Sequence, residues 1–202
     1  GGALIVIDPG MVASRERILE PLAALGVRPE DVTDVVLSHH HPDHAMHAGL
    51  FASARVHDHW AWYRGDRWAE REAEGFHLGP DVWLMGTPGH TAEDVSTVVR
   101  TAQGLVVCTH LWWDASGPAE DPLAEDPRAL HASRARVLSL PELARIVPGH
   151  GPAFTPGPGD LEWDIDPAAL GVDDPEGTRF DGLDATLNHH LHLEGPDPDI
   201  AQ

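Results

Sequence analysis

Short apolar segments separated by turn residues predict a sheet with helices outside it. Residues 34–38 contain the β-branched pair Val35-Val36 in a short apolar run and are followed by histidine and proline, which is typical of a short buried strand. Residues 3–7 predict another strand. Residues 14–25 lie between them and have the apolar spacing of a helix, with Ser14 as a candidate N-cap and Pro21 as a kink or restart. This strand–helix–strand order favours a largely buried sheet.

The second half of the chain continues the alternation. Residues 82–85 predict a strand, and residues 95–99 and 105–108 predict a hairpin. Residues 127–138 predict a helix with proline in its first turn, and residues 145–147 predict the last strand of the core. We therefore expect an α/β (α+β) fold.

Two segments depart from this pattern. Residues 60–74 are rich in tryptophan and charge, and we expect either a lid over a substrate or ordinary packing of aromatic side chains under a loop. Residues 155–202 combine acids with Pro-Gly, Asp-Pro and Asp-Gly steps, which predicts an irregular tail. The predicted organisation is one domain over residues 1–154 and an acidic, Pro/Gly-rich tail over residues 155–202.

Composition excludes several classes of function. The 202 residues carry a net charge of −20, and all 13 basic residues are arginine, so we expect no binding to long nucleic acids. No apolar run approaches the length that crosses a bilayer, so we expect no membrane association. Cys108 is the single cysteine and is expected to be a buried apolar residue. Since nothing indicates an oxidising compartment, we expect a cytoplasmic protein.

Four histidines and an aspartate crowd residues 38–44. In the loop that leaves the strand, His39 and His41 can project the same way, while Asp43 and His44 can turn toward a second point beyond the proline. Imidazole and carboxylate groups are the ligand set of borderline metals such as zinc. The spacing therefore predicts a metal site.

The pattern His-x-His-x-Asp-His resembles the signature of the metallo-β-lactamase fold superfamily. Later histidine loops at residues 87–91 and 147–151 follow in the family's order, so the resemblance covers roughly residues 3–154. Within the superfamily, residues 125–138 and 148–152 look most like the domain-containing protein 1 type. The resemblance implies an αββα sandwich. Because the chain enters a strand at once and lacks an initial methionine, we expect the N-terminal strands of the family to be missing.

The resemblance also implies two metal positions and their ligands. Carried over residue by residue, the ligands are His39, His41 and His90 for the first metal, and Asp43, His44 and His150 for the second. We expect one or two Zn²⁺ ions per chain, with iron or manganese as alternatives. In the family, the aspartate that matches Asp8 braces the metal loops, although a simple turn-forming aspartate is an equal alternative.

His110 stands where the family places an aspartate that bridges both metals. A neutral imidazole offers one lone pair, whereas a carboxylate can hold two cations. His110 could bind one metal of a pair, leave one position weakly occupied, or act as a proton carrier. Asp114 is a less favoured source of the missing carboxylate. We count His110 as both a candidate ligand and, with Asp43, a candidate catalytic residue.

These features favour a metal-dependent hydrolase that uses a metal-bound hydroxide on a small ester, lactone, thioester or amide. Asp43 would orient the hydroxide, and Trp112 and Trp113 would wall an apolar pocket. The alternatives are a phosphodiesterase or nuclease, an iron-dependent oxygenase or sulfur-transferring enzyme, and a catalytically silent metal-binding module. The sequence predicts a small-molecule substrate and leaves the oligomeric state open.

The remaining histidines carry no ligand spacing. His40 alternates away from its two neighbours and should point outward, and His47 is expected on a polar face. Surface or capping roles are expected for a last group: His57, His59, His77 and His131.

Overall fold

A computed structural model describes residues 2–157 of the chain. Within this range, ten strands form two five-stranded sheets. In spatial order, the first sheet contains β1 (Ile5–Ile7), β2 (Asp34–Val36), β3 (Arg55–His57), β4 (Ala61–Arg64) and β5 (Arg67–Glu70). The second contains β6 (His77–Gly79), β7 (Val82–Gly86), β8 (Val95–Thr101), β9 (Gly104–Cys108) and β10 (Leu143–Val147), in the order β10-β9-β8-β7-β6.

Short helices connect these strands. They are α1 (Glu16–Ala24), α2 (Pro42–Ala45) and α3 (Pro127–Leu138), with 3₁₀ turns at Pro29–Asp31 and Ala48–Leu50. β1, β2 and β3 run parallel, as do β9 and β10, while the other pairings are antiparallel. Since β8 is antiparallel to both neighbours, β7, β9 and β10 all point the same way.

Successive side chains of each strand point to opposite faces of its sheet, so each sheet packs against a helix on one face and against the other sheet on the other face. In β2, Val35 packs in a cluster with the apolar face of α1, while Val36 packs against Leu84 of β7 between the sheets. In β7, Met85 faces the other way and packs with Leu130 of α3. The order is therefore α1, first sheet, second sheet, α3. The predicted αββα sandwich of the metallo-β-lactamase type is confirmed.

The two longer helices differ in how closely they follow the prediction. α3 has the predicted bounds, and the Asp126 carboxylate accepts hydrogen bonds from the backbone N–H groups of Arg128 and Ala129, at 2.9 and 3.0 Å. α1 begins later than predicted, after Arg15, without a side-chain cap. The prediction that Ser14 caps this helix was therefore wrong.

Part of the tryptophan-rich segment forms the hairpin β4–β5, which extends the first sheet. Trp60 and Trp68 pack edge to face with ring centroids 5.1 Å apart and remain 39% and 53% exposed. The Tyr63 hydroxyl donates to the Asp58 carboxylate at 2.8 Å. The strand pairing and these contacts describe how part of the segment packs, and a lid over a substrate stays a prediction.

The proposed boundary at residue 154 and the acidic tail remain predictions, because residues 158–202 lie outside the described residues. In the described range, no helix is both long and apolar enough to span a bilayer.

Candidate metal centre

The candidate ligands lie at one edge of the sandwich, where strands of both sheets end. The segment after β2 carries His39 and His41 and continues into α2, which carries two more candidates. The loops after β7, β9 and β10 each deliver one histidine. The structure thereby gathers all seven residues predicted from the sequence into overlapping groups that could hold metal: His39, His41, Asp43, His44, His90, His110 and His150.

Three imidazoles form the first group. Nδ1 of His41 lies 3.0 Å from Nε2 of His39 and 3.1 Å from Nε2 of His90. With Zn–N distances of about 2.0–2.1 Å, two nitrogens on one tetrahedral zinc ion would be about 3.3 Å apart. The observed distances between these nitrogens are close to that value, so the three imidazoles could share one zinc ion.

Hydrogen bonds on the outer side of two rings assign their tautomers. Nδ1 of His90 donates to the Asp121 carboxylate at 2.7 Å. Nδ1 of His39 lies 2.9 Å from the Ser38 hydroxyl, which itself donates to Asp8, so the hydroxyl accepts from His39. In each ring Nε2 is left with a lone pair that faces the group. Metal-binding histidines are commonly oriented in this way.

The second group is built around His44. Its Nδ1 donates to Asp8 at 2.9 Å, whereas its Nε2 is buried and has no hydrogen-bond partner among the described residues. Oδ2 of Asp43 lies 3.4 Å from that Nε2 and 3.7 Å from Nε2 of His150. Burial disfavours the charged ring, but the hydrogen bond to Asp8 and the charges of Asp8, Asp43 and Asp94 together outweigh it and raise the pKa of His44. A buried lone pair without a partner is costly, and a cation would satisfy it.

Asp8 joins the segments that carry these rings. Its carboxylate accepts from the backbone N–H and the hydroxyl of Ser38, both at 2.7 Å, as well as from His44. Its φ of 47° is unusual for a residue other than glycine. This placement corresponds to the bracing alternative stated for Asp8.

His110 lies inside the cluster. Its Nε2 is 3.2 Å from Nε2 of His150, and its Nδ1 is buried without a hydrogen-bond partner in residues 2–157. Burial and neighbouring imidazoles lower the pKa of His110, as they do that of His39, to about 2, so both rings are neutral lone-pair donors. A Cβ added at Gly149 would lie 2.4 Å from Cδ2 of His110, so the glycine makes room for this ring.

Asp114 is absent from the candidate metal groups of the described chain. Its carboxylate accepts from the backbone N–H of Ser116 at 2.7 Å and stabilises its own turn.

Two buried aspartates of this region escaped the sequence reasoning. Asp121 accepts from His90, and with His90 and His110 it forms another group that could hold a metal. Asp94 lies 3.7 Å from Nδ1 of His39 and accepts from Thr91, and burial raises its pKa to about 7. No motif spacing marks either residue.

The other histidines divide between surface and core. His40 points away from the cluster, with Nδ1 2.6 Å from Glu93. His47 makes a hydrogen bond with the Gly10 carbonyl at 2.7 Å. The surface role expected for His57 was wrong, because this ring is fully buried and its Nε2 donates to Asp34 at 2.9 Å.

A cavity of about 340 Å³ opens beside the first group. It is lined by His40, His41, Thr91, Ala92, Glu93 and Glu125. The expected pocket wall was wrong for Trp112, which is 3% exposed in the core under α3. Trp113 donates its indole N–H to Asp121, and its ring centroid lies 6.4 Å from that of His150, so its part in a pocket wall stays a prediction. The two lining glutamates make this cavity acidic.

Comparisons with known proteins agree with this geometry. The family model described as "Metallo-beta-lactamase superfamily" matches residues 1–159. The human metallo-beta-lactamase domain-containing protein 1 is 40% identical over 160 residues, covering 74% of this chain and 59% of the human protein. The chain thus spans little more than half the length of that relative.

Two further similarities bear on chemistry. An N-acyl homoserine lactonase of Bacillus cereus is 29% identical over 151 residues, covering 67% of this chain and 59% of the lactonase. The crystal structure of TTHA1623 in a di-iron-bound form has a TM-score of 0.56 and 26% identity, covering 83% of this chain and 89% of that one.

Proposed function

This chain belongs to the metallo-β-lactamase superfamily, and from that premise we propose that it is a metal-dependent hydrolase of a small ester, lactone, thioester or amide. The main support is the convergence of six imidazoles and one carboxylate from both sheets, with the buried Nε2 of His44 left without a partner among the described residues. The similarity to a lactonase supports acyl chemistry.

A divalent cation bound here would lower the pKa of a water molecule and polarise a carbonyl oxygen. We propose zinc, because imidazole nitrogen and carboxylate oxygen suit it. Iron is the alternative that the di-iron-bound relative supports. His39, His41 and His90 would hold the first ion, and Asp43, His44, His110 and His150 would hold the second.

Asp43 and His110 have different parts in this proposal. The Asp43 side chain is 45% exposed and borders both the second group and solvent, so it can orient an attacking water and accept its proton. His110 offers a single lone pair through Nε2, so it supports one ion and does not bridge two.

The cavity beside His41 is the proposed substrate site. Glu93 and Glu125 are charged side chains of its lining, which disfavours anionic substrates near this wall. The net charge of −20 acts in the same direction at long range and disfavours a nucleic-acid substrate. We therefore propose a neutral or cationic small acyl substrate, and a cytoplasmic location stays part of the proposal.

The test combines elemental analysis with a panel of esters, lactones and phosphodiesters, assayed with and without a chelator. We expect one or two equivalents of zinc or iron and chelator-sensitive turnover of an ester or lactone. His39→Ala and His90→Ala should each abolish metal retention, while His77→Ala, at an exposed position of strand β6, serves as a matched control. Metal-loaded protein without turnover across the panel would favour the silent module, and turnover of phosphodiesters alone would favour the second hydrolase class.

A further inference from the structure

Residues 111–121, which we call the strap, follow β9 and touch two candidate ligands. The backbone N–H of His150 donates to the carbonyl of Trp113 at 2.8 Å, and that of Gly149 donates to the carbonyl of Trp112 at 3.0 Å. At the far end of the strap, the Asp121 carboxylate accepts from Nδ1 of His90. The strap therefore fixes the backbone beside one ring and the tautomer of another.

Arg134 of α3 holds the strap from the core side. The residue is 3% exposed. Its guanidinium donates to three strap carbonyls: to Leu111 at 2.7 Å, to Ala119 at 2.6 Å and to Pro118 at 2.9 Å. Because these carbonyls belong to the two ends of the strap, one planar side chain closes it into a loop of fixed shape.

The strap is also linked across its interior. The indole N–H of Trp113 donates to Oδ2 of Asp121 at 3.2 Å, the same oxygen that accepts from His90. The Arg134 guanidinium lies over the Trp112 ring, 5.6 Å from its centroid. A change at Arg134 can therefore reach Asp121 through a short series of direct contacts.

We propose that Arg134 is a positioning residue that closes the strap and thereby orients His90 and His150, which belong to different metal groups. The proposal rests on the metal binding proposed above. Burying a guanidinium is costly, and in the interior of this helix an apolar side chain would avoid that cost. The three hydrogen-bonded carbonyls give the charge a specific role, since an apolar replacement would leave them without these donors.

The experiment measures zinc affinity by competition with a chromophoric chelator, well below the melting temperature of each variant. Arg134→Met removes all three donors and should weaken zinc binding by about 10-fold, the low end of the effect of losing a direct partner of a metal ligand, because Arg134 acts on the ligands through the strap. Arg134→Lys keeps the charge and part of the donor capacity and should recover part of the affinity. Arg128→Met, an exposed arginine on the same helix, should leave affinity unchanged.

Circular dichroism melts of the metal-free variants separate positioning from stability. A purely structural arginine would lower the melting temperature while leaving the zinc affinity of the folded protein unchanged, and that result would overturn the proposal. If Arg134→Met does not fold, the zinc affinities of Arg134→Lys and Trp113→Phe are measured instead. Zinc affinity equal to that of the wild type in both variants would overturn the proposal. Wild-type protein that binds no zinc or iron would refute the proposed function as well, whereas metal-loaded wild type with an unaffected Arg134→Met variant would refute this inference alone.

Discussion

Replacing Asp8 by asparagine should convert His44 from a metal ligand into a hydrogen-bond donor. The Asp8 carboxylate faces three donors: the backbone N–H and hydroxyl of Ser38, and Nδ1–H of His44. An asparagine has only one acceptor oxygen. The backbone N–H of Ser38 cannot become an acceptor, so we expect the oxygen to stay there and the NH₂ group to face His44.

His44 can accept from that NH₂ group only by moving its proton from Nδ1 to Nε2. The Nε2–H would then point at the position where a cation is proposed, and the lone pair would be lost. Loss of such an orienting partner typically costs 10–100-fold in metal affinity, or about 1.4–2.7 kcal/mol. Burial lowers the pKa of His44, whereas the hydrogen bond and the charge of Asp8 raise it, so that pKa should also fall in Asp8→Asn.

Calorimetric titration with zinc measures the affinities, and ¹⁵N NMR of the imidazole rings reports the tautomer. Asp31→Asn is the control, because Asp31 carries the same carboxylate in an exposed pair with Arg28. Zinc affinity that is equal in Asp8→Asn and wild type, together with an unchanged His44 tautomer, would refute the reasoning.

Three other changes test neighbouring parts of the site. Gly149→Ala places a methyl group 2.4 Å from Cδ2 of His110, so it should displace that ring and lower the occupancy of the second metal position, measured by elemental analysis after gel filtration; full occupancy would contradict the proposed role of His110. Burial raises the pKa of Cys108 to about 11, two units above its ordinary value of about 9. Alkylation of this thiol at pH 8, followed by mass spectrometry, should therefore be about 100-fold slower in the folded than in the unfolded protein. Equal alkylation rates in the two states would contradict the burial argument. Glu93→Gln and Glu125→Gln should each raise kcat/KM for an anionic ester more than for a neutral one, and an unchanged preference would remove the cavity as the substrate site.

Sequence patterns predicted the features of the fold that are determined by residues close together in the chain. The bounds of α3 follow from a proline in the first turn and apolar spacing. The positions of His39, His41 and His44 at a strand end follow from the apolar run before them. Such features are local, so a short window of residues contains the information that specifies them.

Contacts between distant segments were the part that the sequence did not reveal. Asp121 lies 31 positions from His90, and no periodicity links them. His57 carries no ligand spacing, so a surface role was expected. The ring is buried, and Asp34 on the adjacent strand accepts a hydrogen bond from it. No sequence signal distinguishes Arg134 from the other arginines of its helix, because its three carbonyl partners lie in a different segment of the chain.

The candidate ligands come from both sheets, and this division has a consequence for the assembly of the protein. An ion held jointly by His41 and His90 would act as a removable cross-link between the two sheets, in addition to the apolar packing and the few hydrogen bonds that already join them. Binding to the native state alone raises stability with the logarithm of free metal concentration, by about 2.7 kcal/mol at one hundred times Kd. Resistance to heat or proteolysis would then track the supply of metal, so that a cell short of the ion would lose the folded protein itself.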